Sequence, residues 1–203
     1  SNLERLLERE ERWDELAAQF EHRRAVQDDV DVLRSVNLSL ARIYSEYLGD
    51  GDRVLECYGR VLESEPTNHE ARIGLQAVFS DPERAGELGV ERSQLVDLLE
   101  PIYRAEADQS NLRAILLVKQ ESLFDRPEER KAALAEVAEL SRSLFGDGGE
   151  TYDGYVRLFE EEPASHIRTE LTRLASATGR LEDWATVLER RAAEEPGQAL
   201  RVE

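Results

Sequence analysis

GDGGETYDGYVRLFEEEPASHIRTELTRLASATGRLEDWATVLERRAAEEP, the stretch from Gly146 to Pro196, states one pattern twice. Gly146 precedes Pro163 and Gly179 precedes Pro196, each pair 17 positions apart, and the second pair follows the first by 33. A third pair at the same interval, Gly49 and Pro66, stands 97 positions before the first, close to three such periods. Glycine suits the left-handed position that ends a helix, and proline cannot continue the next one. A fixed interval between them therefore encloses one short helix and its exit turn. A period near 34 residues is the signature of stacked helix pairs, so the chain reads as an all-α repeat protein built from helical hairpins.

Outward from that stretch, apolar residues recur at three- and four-residue spacings almost throughout. Leu3, Leu6 and Leu7 mark a first short helix; Trp13, Leu16, Ala17 and Phe20 a second, beginning after Arg12. Leu33, Val36, Leu40, Ile43, Tyr44 and Tyr47 share one face of a helix that ends at Gly49, and Asp50 caps the next, which carries Val54, Tyr58, Val61 and Leu62. Thr67 with Glu70 fits a capping box that opens a helix with Ala71, Leu75, Val78 and Phe79 inside. Asp81 and Pro82 start a short segment that Gly86 and Gly89 weaken, where a mobile helix is expected. A helix with Leu95, Leu98, Leu99 and Ile102 is expected to bend at Pro101. The run Ile115 to Val118 is too apolar for one stripe and predicts enclosure on several sides. Leu134, Val137, Ala138, Leu140, Leu144 and Phe145 are expected to face inward on the next helix, which Pro127 starts. Tyr152, Tyr155, Val156 and Phe159, then Leu171, Leu174 and Ala175, then Leu181, Trp184, Ala185 and Leu188 follow on the last three. No linker or low-complexity stretch intervenes, so the reading is one domain over residues 1–203.

The order Gly-Asp, Tyr, Pro occurs as Gly49, Asp50, Tyr58 and Pro66, and again as Gly146, Asp147, Tyr155 and Pro163. It resembles the second half of a tetratricopeptide repeat, and the Gly179 to Pro196 copy keeps the glycine and proline. The resemblance implies a right-handed α-solenoid of about six antiparallel helix pairs whose concave surface binds peptides or proteins. The chain departs from that family where small residues are favoured in the second helix, with Val54, Thr151 and Trp184 at one such site and Val61, Leu158 and Arg191 at the next. The stretch Leu99-Glu100-Pro101-Ile102-Tyr103 also looks similar to long bacterial repeat proteins of unassigned role. Aligning the units places residues 197–203 at the start of a further helix. Together with the absence of methionine, this gives the expectation that the chain was cut from a longer repeat array.

Charged residues make up 34% of the chain and the net charge is −18, a balance that repels nucleic acid and anionic membrane surfaces and leaves protein partners. Of the 26 basic residues only Lys119 and Lys131 are lysines; the arginine excess suits bidentate pairing with carboxylates and is equally the product of codon bias. Cys57 is the sole cysteine, so no disulfide forms within the chain and a small core residue is expected there. The longest apolar run, Ala114 to Val118, is far short of the ~20 residues of a membrane span, and the first ten residues carry no secretory signal pattern. A cytoplasmic setting is expected.

No phosphate loop, dinucleotide glycine pattern, nucleophile elbow or His-x-x-His pair occurs, and Glu160, Glu161 and Glu162 read as a solvated acidic face. No catalytic residue, metal or cofactor is therefore expected. The leading reading is a non-catalytic scaffold that binds a protein or peptide; the rivals are a structural spacer or oligomerisation segment, and an enzyme with an unrecognised site. The resemblance puts His166, Thr169, Arg173 and Ser176 on the concave face, and counting back 97 adds His69, Arg72, Gln76 and Phe79. Such a basic strip on an acidic body would take an acidic segment or a terminal carboxylate.

Overall fold

Apolar stripes at helical spacing, punctuated by caps, turn into helices wherever the stripe can be buried. The computed structural model describes residues 2–194, and among the described residues there are twelve α-helices and no strand. Pro196 and the expected start of a further helix at 197–203 lie outside them. By compactness the chain divides into two units, Ser1–Ala107 and Asp108–Glu203, within each of which consecutive helices pack on one another as a helical stack.

The first unit holds α1 (Asn2–Arg9), α2 (Trp13–Ala25), α3 (Val30–Ile43), α4 (Gly51–Ser64), α5 (His69–Ser80), α6 (Pro82–Glu87) and α7 (Arg92–Ala105). Its core is drawn from the predicted stripes: Leu16 and Ala17, Val36, Leu40 and Ile43, Val54, Cys57 and Val61, Leu75 and Val78, Leu95, Leu99 and Ile102 are all buried. After Ile43, α3 continues as a π-helical turn, Tyr44–Leu48, that ends at left-handed Gly49. A π turn winds more residues per turn than an α-helix, so Tyr47 leaves the stripe. It is 47% exposed rather than inward, and its ring stacks on Trp13 at 3.6 Å.

Asp50 caps α4 as expected, accepting from the Arg53 N–H. The cap of α5 shifts by one residue, because Asn68 and not Thr67 accepts from the Ala71 N–H at 2.9 Å, while its amide donates to Glu65. Asp81 caps α6, which is short as predicted, yet Leu88 and Val90 just beyond it are buried. They hold the start of α4: the Gly51 N–H donates to the Leu88 carbonyl at 3.1 Å, and a Cβ on Gly51 would sit 2.3 Å from that oxygen. Helix α7 runs through Pro101, whose ring lies on the exposed face.

The second unit holds α8 (Gln109–Ser122), α9 (Pro127–Phe145), α10 (Gly149–Glu161), α11 (Ser165–Thr178) and α12 (Leu181–Glu194). Tyr152, Tyr155, Leu158, Phe159, Ile167, Leu171, Leu174, Ala175 and Trp184 form one core with Leu134 and Ala138. In α8 only Ile115 and Leu116 of the apolar run are buried; Leu117 and Val118 are half-buried. The stripe of α9 continues through buried Ser141, which donates to the Val137 carbonyl. Leu144 and Phe145, in the last turn, are exposed instead of inward, with the Arg113 guanidinium over the Phe145 ring at 5.3 Å. Leu181, the first residue of α12, and Ala185 are likewise exposed. Val54, Val61, Thr151, Leu158 and Trp184 are all buried. Thr151 meets the polar cost by donating to the Gly146 carbonyl at 2.6 Å.

Candidate functional site

Of the residues expected on a binding face of α5, His69 is exposed at the helix start and Arg72 and Gln76 are half-buried. Arg72 draws them together: its Nη2 lies 3.1 Å from His69 Nδ1, its Nη1 donates to Gln76 at 3.4 Å, and its Nε is 3.6 Å from Glu106 of α7. Phe79, on the same side of the helix as Arg72, is not open to a ligand: it is only 7% exposed and lies under the Arg92 guanidinium at 4.6 Å.

On α11, His166, Thr169, Arg173 and Ser176 are all exposed. Thr169 donates back to the Ser165 carbonyl. Arg173 is committed to carboxylates of its own unit. It holds Asp147, in the α9–α10 turn, through two bonds of 2.6 and 2.7 Å, and it also donates to Glu170. Those hydrogen bonds push the carboxyls of both Asp147 and Glu170 below the ordinary range and raise the guanidinium. Arg142 of α9 extends the network, donating to Glu170 at 2.8 Å and to the Tyr155 hydroxyl, which in turn donates to Glu139 at 2.6 Å. Burial, then the Glu139 bond, pushes the Tyr155 hydroxyl up to about 12. Arg173, alone of the four, thus belongs with Arg142 to a clamp that joins α11 to α9 and to the α9–α10 turn. The α5 and α11 sets belong to different units.

A groove that the sequence reading missed lies between α3 and α5. It has a volume of about 280 Å³ and is lined by Asp31, Arg34, Ser35, Leu38, Ser39, Arg42 and Glu70. Arg34 is paired with Asp31 at 2.6 Å and with Glu65 at 3.2 Å, which places the turn before α5 beside the first half of α3. One end of the groove is therefore acidic, with Asp31, Glu65 and Glu70 around Arg34. At the other end Arg42, 57% exposed, makes only a loose contact with Glu8 at 3.6 Å. The Glu70 face of α5 continues one turn on with Ile73, which is 49% exposed. The signal was present in the sequence: Arg34, Leu38 and Arg42 recur every four residues opposite Val36, Leu40 and Ile43. On α5 the exposed residues Glu70, Ile73 and Ala77 follow one another at helical spacing, opposite the buried ones.

Among the described residues no group of three or more His, Cys, Asp and Glu could hold a metal ion, and no helix is long and apolar enough to cross a membrane. Cys57 is fully buried as expected; burial pushes its thiol up to about 12, with Arg24 opposing, so it is a poor nucleophile. No protein-family model matches the chain, and no curated protein matches it.

Proposed function

We propose that this chain is a non-catalytic scaffold of the tetratricopeptide type, a right-handed solenoid of about six helix pairs that binds a segment of another protein, in the cytoplasm. The observation that carries the reading is the groove between α3 and α5, with Leu38 as its apolar lining residue, exposed Ile73 one turn beyond Glu70, one acidic end and one arginine in a loose ion pair. Arg42 offers its guanidinium to an aspartate, glutamate or terminal carboxylate of the partner, displacing Glu8. An exposed ion pair contributes at most ~1 kcal/mol, whereas covering an aliphatic side chain contributes ~1.5–3 kcal/mol. Leu38 and Ile73 therefore supply most of the affinity and Arg42 the orientation.

The test is capture of a partner from native lysate on immobilised protein, followed by affinity measurement with purified partner. Ile73→Ser is expected to weaken binding about tenfold and Arg42→Ala about threefold, with Arg168→Ala, on an exposed face of the other unit, unchanged. Equal binding by all variants would move the site elsewhere. Absence of any saturable partner would favour the structural spacer.

A further inference from the structure

A second groove, of about 310 Å³, lies wholly within the other unit, between α8 and α10 with α9 behind it. Its apolar part is Leu117 of α8, Val137 of α9 and Val156 of α10, and its charged rim is Arg113, Glu150, Asp153 and Arg157. Gly154 lets α10 lie close to α9, since a Cβ there would stand 3.3 Å from the Ala138 Cα.

The rim charges are not equivalent. Arg113 donates to Glu150 at 2.7 Å and to Ser141 at 2.6 Å, so that pair is closed. Asp153 is held by Arg180 at 2.6 Å. Arg157 is exposed, and the carboxylates a turn away from it on α10 are all committed: Asp153 to Arg180, Glu160 to Arg190 and Glu161 to Arg130. It makes no ion pair with any described residue. The groove therefore presents the half-buried Leu117 and Val156 and, among the described residues, one arginine without an ion pair, on a chain whose net charge is −18. A volume of this size accepts one or two aliphatic side chains and not a folded surface.

We propose that the α8–α10 groove is a second docking site, one that takes an extended segment of a partner protein in which an aliphatic side chain neighbours an aspartate or glutamate. The aliphatic side chain sits on Leu117 and Val156, above the buried Val137, and the carboxylate accepts two hydrogen bonds from Arg157. This site is independent of the groove between α3 and α5.

The test uses the full chain with methyl isotope labels, titrated with the peptide acetyl-Leu-Glu-Leu-amide and followed by nuclear magnetic resonance. Saturable shifts are expected at the methyls of Leu117, Val137 and Val156. The glutamine counterpart, acetyl-Leu-Gln-Leu-amide, should bind about fivefold more weakly, the worth of one exposed charge-assisted pair. Arg157→Gln should abolish that difference while leaving the unbound spectrum otherwise intact, because Arg157 makes no ion pair with a described residue. The proposal is overturned by shifts that do not map to the groove, by discrimination that survives Arg157→Gln, or by tighter binding of a lysine peptide. Shifts of the same methyls with protein concentration alone would assign the groove to a second copy of the chain and overturn it equally.

Discussion

Trp184 shows how much one side chain does in this fold. Its place in the sequence, in phase with Leu181 and Leu188, predicts a core residue, and it is 4% exposed although Leu181 is open to solvent. The indole meets Phe159 edge to face with centroids 5.1 Å apart, and its Nε1 donates to Thr172 at 3.1 Å. An aromatic pair in that geometry adds to the burial term, and the hydrogen bond removes the cost of a buried N–H. Trp184→Ala should therefore lower stability by ~3–5 kcal/mol, read by urea denaturation; an unchanged midpoint would take Trp184 out of the core. Tyr47 went the other way. Its identity fits a core position, and only the π turn ahead of it decides that the ring lies outside on Trp13.

At the scale of the element, caps decide where helices begin, and the start of α5 is the instructive case. Thr67 and Glu70 have the capping-box spacing, yet Asn68 accepts the Ala71 N–H because Glu65 accepts from its amide and fixes its orientation. Asn68→Ala should cost ~1 kcal/mol and Thr67→Ala close to nothing, as measured by thermal unfolding of the two variants side by side. Equal losses would restore the sequence-based cap. The same helix shows what spacing alone leaves open. Phe79 and Arg72 lie close on a helical wheel, so spacing alone did not separate a face turned to α7 from one turned to α3. Burial of Phe79 and exposure of Ile73 separate them.

At the scale of the whole molecule, the chain divides into two compact units, each with buried apolar residues of its own. Each has ion pairs between helices, such as Arg34 with Glu65 in the first and Arg173 with Asp147 in the second. Exposed pairs of this kind contribute little beside buried apolar stripes, so the stability of each unit is expected to rest on its buried apolar residues. Residues 1–107 and 108–203 produced separately should each be helical by circular dichroism and unfold cooperatively in urea. A unit with no cooperative transition would show that its core is not sufficient.

The sequence by itself determined the helical class, the places where helices stop and most of the core. These follow from local chemistry: Gly49 and Gly179 take left-handed turns, Asp50 and Asp81 cap, and apolar residues recur with the helical period. The tertiary structure alone decided which polar positions became grooves and which arginines were spent on internal carboxylates. Whether Arg173 is free or clamped depends on Asp147, 26 positions away in another turn, and whether Arg157 is paired depends on partners that Arg180, Arg190 and Arg130 have already taken. A helix repeats its own geometry, but the rotation of one helix against the next is set by side-chain packing between them, and no periodicity within either one encodes it.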